Sequence, residues 1–324
     1  MMDEAAQASS VRSAGAASST SHGSLKRSRK AVDGVLLLDK PVGPSSTRAL
    51  GHVKHLLQAA KAGHGGTLDP MASGLLPLMF GEATKYAAEG LDADKSYEAT
   101  LQLGVKTSTA DAEGEVIETA PIPSITEQEV RRVVAGFVGE QSQLPPMFSA
   151  LKKDGRALYS YARKGESVER SPRTIHIRRI DVLSFAPPEL SISVRCSKGT
   201  YIRTLAEDIG QALGTVAHLK SLRRVGVGEL LAQDMVCLET IEQASEGDRL
   251  SLLKPVDWLI RDWPALVLGP QQVKRFRNGQ PVMLSDQTTA GLYRIRSEQD
   301  QFLGTGRVDM HAMLHPDRVR VISH

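Results

Sequence analysis

The sequence predicts an α+β fold: a mixed, largely antiparallel sheet with helices, followed by a small β-barrel. Three observations carry this. Two-residue strand patterns and helical patterns are interleaved without strict β-α-β alternation. The helices carry explicit end signals. From Trp263 onward the chain changes to short β-like runs separated by Gly and Pro.

Residues Met1 to about Ala31 are rich in Ala and Ser and end in Lys26-Arg27-Ser28-Arg29-Lys30. This composition cannot bury a core, so a disordered tail over residues 1–33 is expected. Its basic cluster either contacts RNA or is simply solvated. Asp3 and Glu4 count against an organellar transit peptide.

Gly34 to Asp39 is a short apolar run of the kind that forms a buried strand. Lys40-Pro41-Val42-Gly43-Pro44 is a turn, and Ser45, Ser46 and Thr47 offer an N-cap. Leu50, Val53, Leu56 and Leu57 then share one face of a helix. Gly63 to Pro77 packs glycines, His64 and the single carboxylate Asp69 into a stretch too irregular for a helix. Leu75 to Phe80 is a second strand. Tyr97, Ala99, Leu101 and Leu103 alternate with polar residues, the signature of a half-buried strand.

Thr107 to Thr119 is polar and reads as a loop. Thr126 and Glu129 form a capping box ahead of Val130, Val133, Val134 and Phe137. Thr174–Ile177 and Leu190–Val194 are strands. Tyr201 to Leu213 is a helix closed by Gly214. In the tail, Ala265–Leu268, Pro281–Leu284, Leu292–Ile295 and Val319–Ile322 read as strands. Lys274, Arg275, Arg277, Arg294, Arg296, Arg307, Arg318 and Arg320 make this tail locally basic. A domain boundary is expected near residues 245–262, giving units of 34–255 and 256–324.

Bulk properties narrow the function classes. A chain of 324 residues with 41% hydrophobic content supports about two domains. Lys and Arg number 40 against 37 acidic residues, so any basic surface must come from clustering. Cys196 and Cys237 form no CxxC pattern, which argues against a disulfide scaffold or zinc knuckle. No apolar run approaches a membrane span, and the N-terminus lacks the apolar core of a secretory signal. A cytoplasmic protein is expected.

Four places carry candidate chemistry. Asp69 is either a catalytic carboxylate at a close-approach loop or an Asp capping its own turn beside Pro70. His64 is either structural or a ring that wedges against a nucleobase. Tyr97 is either a core tyrosine or a ring stacked on a planar substrate. In Cys196-Ser197-Lys198-Gly199-Thr200-Tyr201-Ile202-Arg203, a strand gives way to a helix start carrying Lys198 and Arg203, which suits an anionic ligand. Arg is disfavoured in a first helical turn, so an acidic partner is expected, and Asp69 is one candidate. His311 and His315 have metal-ligand spacing but no third ligand, so no metal is expected. The glycine loop lacks the Gly-Lys-Ser/Thr of a phosphate-binding P-loop.

The stretch Gly63-His64-Gly65-Gly66-Thr67-Leu68-Asp69-Pro70, with Ala72-Ser73-Gly74-Leu75-Leu76, resembles the signature of the TruB family of tRNA pseudouridine synthases. Leu38-Asp39-Lys40-Pro41, Gly81-Glu82-Ala83-Thr84-Lys85 and Asp94-Lys95-Ser96-Tyr97 also match, as does Thr109-Ala110-Asp111-Ala112-Glu113-Gly114. Further on, Pro145 to Lys152, Lys198-Gly199-Thr200-Tyr201-Ile202-Arg203 and His218 to Arg224 follow in family order. The β-rich tail is similar to the PUA-like RNA-binding domain of bacterial members.

The resemblance implies a pseudouridine synthase fold and an isomerase that converts the T-loop uridine at tRNA position 55 to pseudouridine, with no cofactor and no metal. It makes Asp69 the catalytic carboxylate and Arg203 its partner, expected to lower its pKa. Tyr97 becomes the stacking residue and a candidate base, and Leu222 a wall of the uracil pocket. His64 takes the space of the flipped nucleotide. Lys40, Lys85, Lys198 and Arg224 are candidates for phosphate contacts, and Asp111 is counted with the RNA-binding residues. The implied partner is the tRNA T-arm, with no membrane, no required protein partner and a monomeric chain. The alternatives are a tRNA folding helper that works without catalysis and a guide-RNA-dependent synthase.

Overall fold

The computed structural model describes residues 29–149, 151–153, 155–162, 164–166, 168–285 and 287–321. Residues 1–28 of the expected tail, and Ile322, lie outside the described residues. Packing begins before Gly34. Lys30 N–H donates to Gln58 O at 2.7 Å, and Val32 is buried in the main core.

In chain order the first half runs β1 Gly34–Lys40, α1 Ser46–Leu56, β2 Ala62–His64, β3 Ala72–Phe80, a 3-10 turn Gly81–Tyr86 and α2 Ala87–Asp92. It continues with β4 Lys95–Leu103, β5 Val105–Thr107, β6 Val116–Thr119, α3 Glu127–Ala135 and β7 Gly139–Gln143. Then come β8 Lys152–Lys153, β9 Arg156–Ala157, α4 Leu158–Ala162, β10 Arg173–Ala186, β11 Glu189–Cys196, α5 Ile202–Ala212 and β12 Ala217–Val227. The short β13 Leu230–Leu231, β14 Val236–Cys237, α6 Leu238–Gln243 and α7 Glu246–Ser251 lead to the last unit. That unit holds β15 Ala265–Leu268, α8 Pro270–Arg277, β16 Val282–Met283, β17 Gly291–Ser297, β18 Phe302–Val308 and β19 Met313–Val319.

Local signals act as their chemistry requires. Ser45 caps α1, accepting from Arg48 N–H. Thr126 and Glu129 make the capping box of α3. Gly214, at φ +79°, follows α5 in the left-handed region. β4 alternates buried and partly exposed residues along its length.

The large sheet has the order β14-β1-β3-β12-β4-β11-β10-β7, with β2 added to β3 and β13 to β12. Its pairings are antiparallel except β1 with β14 and β12 with β3. Strand β1 is an apolar run because both its faces are covered. Leu36 and Leu38 join the core under α1 and α5, while Val35 and Leu37 join a second cluster with Tyr86, Ile260 and Phe302.

Two expectations change. The polar stretch 107–119 contains a hairpin of β5 and β6 rather than a plain loop. In the tail, β18 was not anticipated, and the last strand is Met313–Val319 rather than 319–322. The expected small β unit is present as a curled five-stranded sheet, order β15-β17-β18-β19-β16, around Leu268, Phe276, Tyr293, Ile295 and Leu314.

The tail's arginines divide into two groups. Arg294 and Arg296 both pair with the buried Asp257, at 3.1 and 2.6 Å. Arg320 pairs with Asp33 at 3.2 Å, and Arg318 lies over the Tyr86 ring and donates to Lys85 O. These four fasten the tail sheet to the rest of the chain. Lys274, Arg275, Arg277 and Arg307 remain exposed.

Candidate active site

The sheet order assembles the site. Strand β12 lies between β3 and β4, so it pairs with both. Leu222 stands opposite Ala72 on one side and Ala99 on the other, and Arg224 stands opposite Gly74 and Tyr97. The loop that carries Asp69 enters β3 at Ala72. On the other flank, β11 pairs with β4 and ends at Cys196, and the turn beyond it leads into α5 with Arg203. Segments distant in the sequence therefore meet around one open cleft of about 250 Å³.

Asp69, Tyr97, Arg203, Leu222, Lys198 and Arg224 all border this cleft. Asp69 Oδ2 lies 3.0 Å from Arg203 Nη2. The acidic partner that an Arg in the first turn of α5 requires is therefore Asp69, joined by Asp111 at 3.4 Å from Nη1. Arg203 is buried and also donates to the carbonyls of Thr109 at 3.2 Å and Phe148 at 2.6 Å. Its guanidinium is thus engaged by two carboxylates and two carbonyls.

The electrostatics depart from expectation at Asp69. An adjacent Arg was expected to hold its pKa down, but the net direction is upward. Burial is the largest cause, and the Asp111 charge adds to it. The Arg203 and Lys40 charges pull the other way without prevailing.

The loop is held by groups that local reading did not single out. The Ser46 hydroxyl donates to Leu68 O at 3.0 Å and accepts from Leu68 N–H at 2.7 Å, immediately before Asp69. The Gln143 side chain clamps both backbone groups of Tyr201, at 2.8 and 3.0 Å, at the start of α5. A polar residue forming such long-range bonds leaves no local periodic signal.

Four of the residues expected to meet RNA are engaged with protein groups. Lys40 is fully buried and its ammonium donates to the carbonyls of Pro41 and Pro44, each at 2.8 Å. Burial lowers its pKa to about 8. These bonds stabilise the turn. Lys85 donates to Glu82 Oε2 and to Val319 O, both at 2.7 Å, and so joins the tail sheet to the catalytic sheet. Arg224 is fully buried, with Nε donating to Leu75 O at 2.7 Å and the guanidinium tips reaching Thr67 O and Gly66 O. Asp111 is buried, accepts from the Thr109 hydroxyl at 2.5 Å and from Glu113 N–H, and pairs with Arg203. Of the four cations proposed for phosphate, only Lys198 is exposed, paired with Asp92 at 2.8 Å.

His64 ends β2, paired with Leu78, and is half-buried. It does not border the cleft. Its Nδ1 is buried with no hydrogen-bond partner, and burial lowers its pKa. Tyr97 is buried, and its hydroxyl lies beside its cross-strand partner Arg224. Burial pushes that hydroxyl's pKa up, and the Arg224 charge opposes it. Cys196 and Cys237 are both free thiols. His315 Nε2 pairs with Asp309 at 2.9 Å. Among the described residues no group of three or more His, Cys, Asp or Glu converges as a metal site, and no helix is long and apolar enough to cross a membrane.

Comparison with known proteins places the site in context. Residues 54–202 match the TruB family pseudouridylate synthase N-terminal domain. Residues 203–261 match the tRNA pseudouridylate synthase B C-terminal domain, and residues 264–319 the C-terminal domain of pseudouridine synthase II TruB. The chain is 51% identical over 302 residues to tRNA pseudouridine synthase B of Burkholderia mallei, covering 91% of this chain and 96% of that protein. It is 55% identical over 266 residues to the enzyme of the same name from Ralstonia nicotianae, covering 80% and 84%. Among solved structures it is similar to a chain of a Cbf5-Nop10-Gar1 complex at 25% identity and a TM-score of 0.65, covering 88% and 84%. It shares its fold with a chain of an H/ACA RNP bound to a substrate RNA containing 2'-deoxyuridine, at 24% identity and the same TM-score.

Proposed function

The chain belongs to the TruB family of pseudouridylate synthases, and on that premise we propose that the Asp69 cleft isomerises uridine to pseudouridine in the T-loop of tRNA, at position 55. The protein is an isomerase acting on tRNA. The observation that carries the site assignment is one carboxylate, Asp69, held 3.0 Å from a buried Arg203 in a cleft shared with Tyr97 and Leu222.

Each residue has a role in this reading. The N1–C1′ bond breaks, the uracil turns in place, and C5 bonds to C1′. Asp69 attacks or stabilises C1′. Arg203 fixes its orientation and, with Lys40, opposes the burial that would keep it protonated. Tyr97 stacks on the uracil, and Leu222 closes the apolar wall that excludes water from the intermediate. A hydrolytic glycosidase needs a second carboxyl to protonate its leaving group. Here the uracil stays and reacts again.

The target base must leave its stack to reach Asp69. His64, at the end of β2 with an unpartnered Nδ1, takes up the vacated space. Lys198 at the rim, and Lys274, Arg275, Arg277 and Arg307 on the tail sheet, contact the RNA backbone. Residues 34–255 form the catalytic unit and 256–324 the RNA-binding unit. The enzyme works alone, as a monomer, in the cytoplasm. This stand-alone reading is supported by 51% identity to a bacterial enzyme over 96% of its length, against 25% to the Cbf5-complex chain.

The test is direct. The purified protein is incubated alone with an unmodified T-arm stem-loop, and pseudouridine is assayed. Activity is expected from the wild type and not from Asp69→Asn. Activity that survives Asp69→Asn removes Asp69 from the mechanism, and a tRNA benefit that survives it points to a folding helper.

A further inference from the structure

Heterolysis of N1–C1′ sends the bonding pair to the uracil, where it spreads over N1 and the two exocyclic oxygens. When C5 bonds to C1′ the pair returns, and the proton lost from C5 balances the one N1 gains. Asp69 faces the electron-poor sugar carbon and cannot relieve the negative charge on the base. It is also the only carboxyl side chain among the described residues that border the cleft. No second carboxylic acid among the described residues borders it to protonate the departing uracil.

Four cations border the same cleft. Two are neutralised: Arg203 by Asp69 and Asp111, and Lys198 by Asp92. The other two, Lys95 and Arg224, are buried and form no ion pair with a carboxylate among the described residues. Lys95 donates to the carbonyls of Leu91 and Ala93, both at 2.6 Å, which leaves one N–H of its ammonium. Arg224 donates to the Leu75, Thr67 and Gly66 carbonyls, and its charge acts on the hydroxyl of its cross-strand partner Tyr97. A hydroxyl oxygen that accepts from a guanidinium has its own proton free to donate elsewhere.

These groups are adjacent by construction. Lys95 and Tyr97 are two residues apart on β4 and so share a face, and Arg224 is the cross-strand partner of Tyr97. Burying a cation with only carbonyl partners costs free energy. Two such cations beside one cleft form a preorganised positive field, which stabilises charge that develops during a reaction. The carboxylates whose charge acts on Lys95, Asp92 and Asp94, are bonded to Lys198 and Arg178.

We propose that Lys95, through its remaining N–H, and Arg224, through the Tyr97 hydroxyl, stabilise the negative charge that the uracil carries once its glycosidic bond has broken. Lys95 is then a catalytic residue and Arg224 a positioning residue. The inference rests on the reading of the Asp69 cleft as a pseudouridine synthase site.

The test uses the full chain, single turnovers and two T-arm stem-loops, one with uridine and one with 5-fluorouridine at the target. Fluorine makes the uracil a better leaving anion, so it reduces the need for stabilisation. The readout is consumption of the target nucleotide. Lys95→Met is expected to slow uridine conversion about 100-fold, to lose much less on 5-fluorouridine, and to regain most of the rate as Lys95→Arg. Arg224→Gln is expected to behave likewise, and to add little in a Tyr97→Phe background. Equal losses on both substrates in variants that still melt cooperatively would overturn the proposal. If Arg224→Gln does not fold, the Lys95 pair decides. A wild type that converts neither substrate defeats the functional reading itself, whereas an active wild type with uniform variant losses defeats only this inference.

Discussion

The Asp111 carboxylate lies 3.4 Å from Nη1 of Arg203, while Nη2 of the same guanidinium lies 3.0 Å from Asp69. Asp111 thus acts on the site without facing the cleft. Asp111→Asn keeps the shape and removes the charge that holds Arg203 in place. A misplacement of about 1 Å costs on the order of 100-fold in rate, so kcat should fall by about that factor with little change in KM. A matching rise in KM alone would show that Asp111 serves binding instead.

The pH dependence follows from the raised pKa of Asp69, caused chiefly by burial. In the proposed role Asp69 acts as a carboxylate, so activity should fall as pH drops through a value above the ordinary Asp range. A pH–rate profile locates that limb, and removing a neighbouring cation with Arg203→Met should move it higher still.

The same shift bears on stability. A folded-state pKa above the unfolded value means the native protein holds the proton more tightly. Stability therefore declines as pH rises from the unfolded pKa through the folded one. Asp69→Asn removes that ionisation, so it should melt higher than wild type at neutral pH, with the gap closing below the unfolded pKa of about 4. Equal melting curves at both pH values would contradict this.

Ser46 supports the catalytic loop from beneath. Its hydroxyl pairs with both backbone groups of Leu68. Ser46→Ala orphans a buried N–H and should cost about 1–3 kcal/mol of stability, measured by urea denaturation. It should also lower kcat, because Asp69 is the next residue.

Asp257 fastens the tail sheet. It is buried and pairs with Arg294 and Arg296. Asp257→Ala leaves two cations uncompensated and should destabilise the chain by about 3–5 kcal/mol. Faster proteolysis between residues 255 and 265 would report the loosened junction. Melting unchanged from wild type would mean that the apolar contact of Phe302 with Tyr86, ring centroids 5.9 Å apart, carries the docking by itself.

Gly74 marks where β3 meets β12. It sits at φ +100°, and a Cβ there would lie 2.2 Å from the carbonyl oxygen of Arg224. Gly74→Ala should cost at least about 2 kcal/mol and displace Arg224, which a loss of soluble, cooperatively melting protein would register.

The features legible in the residues alone are those that short-range physics writes locally. The alternation of β4, the capping box of α3 and the glycine after α5 each need only a few neighbouring residues to be recognised. The glycine loop with its single carboxylate was also plain, and its family resemblance supplied the roles. Hairpin β5–β6 escaped notice because Val116 and Ile117 are both exposed, so they leave no alternation. Strand β18 escaped because it contains Gly304 and Gly306, residues that usually weaken a strand. Here they are required by close approach, since a Cβ at Gly304 would lie 2.1 Å from Arg318 O and one at Gly306 2.6 Å from a Leu314 methyl.

Only the tertiary structure decided the fate of the charges. Lys40, Lys85 and Arg224 look like phosphate ligands in sequence, yet each is satisfied internally. The Lys85 partner Val319 is 234 residues away. A cation's pKa, exposure and purpose depend on which distant carbonyl or carboxylate reaches it, and that is set by sheet order and burial. The same order placed Tyr97, Leu222, Arg224 and Asp69 around one cleft, because β12 inserts between β3 and β4.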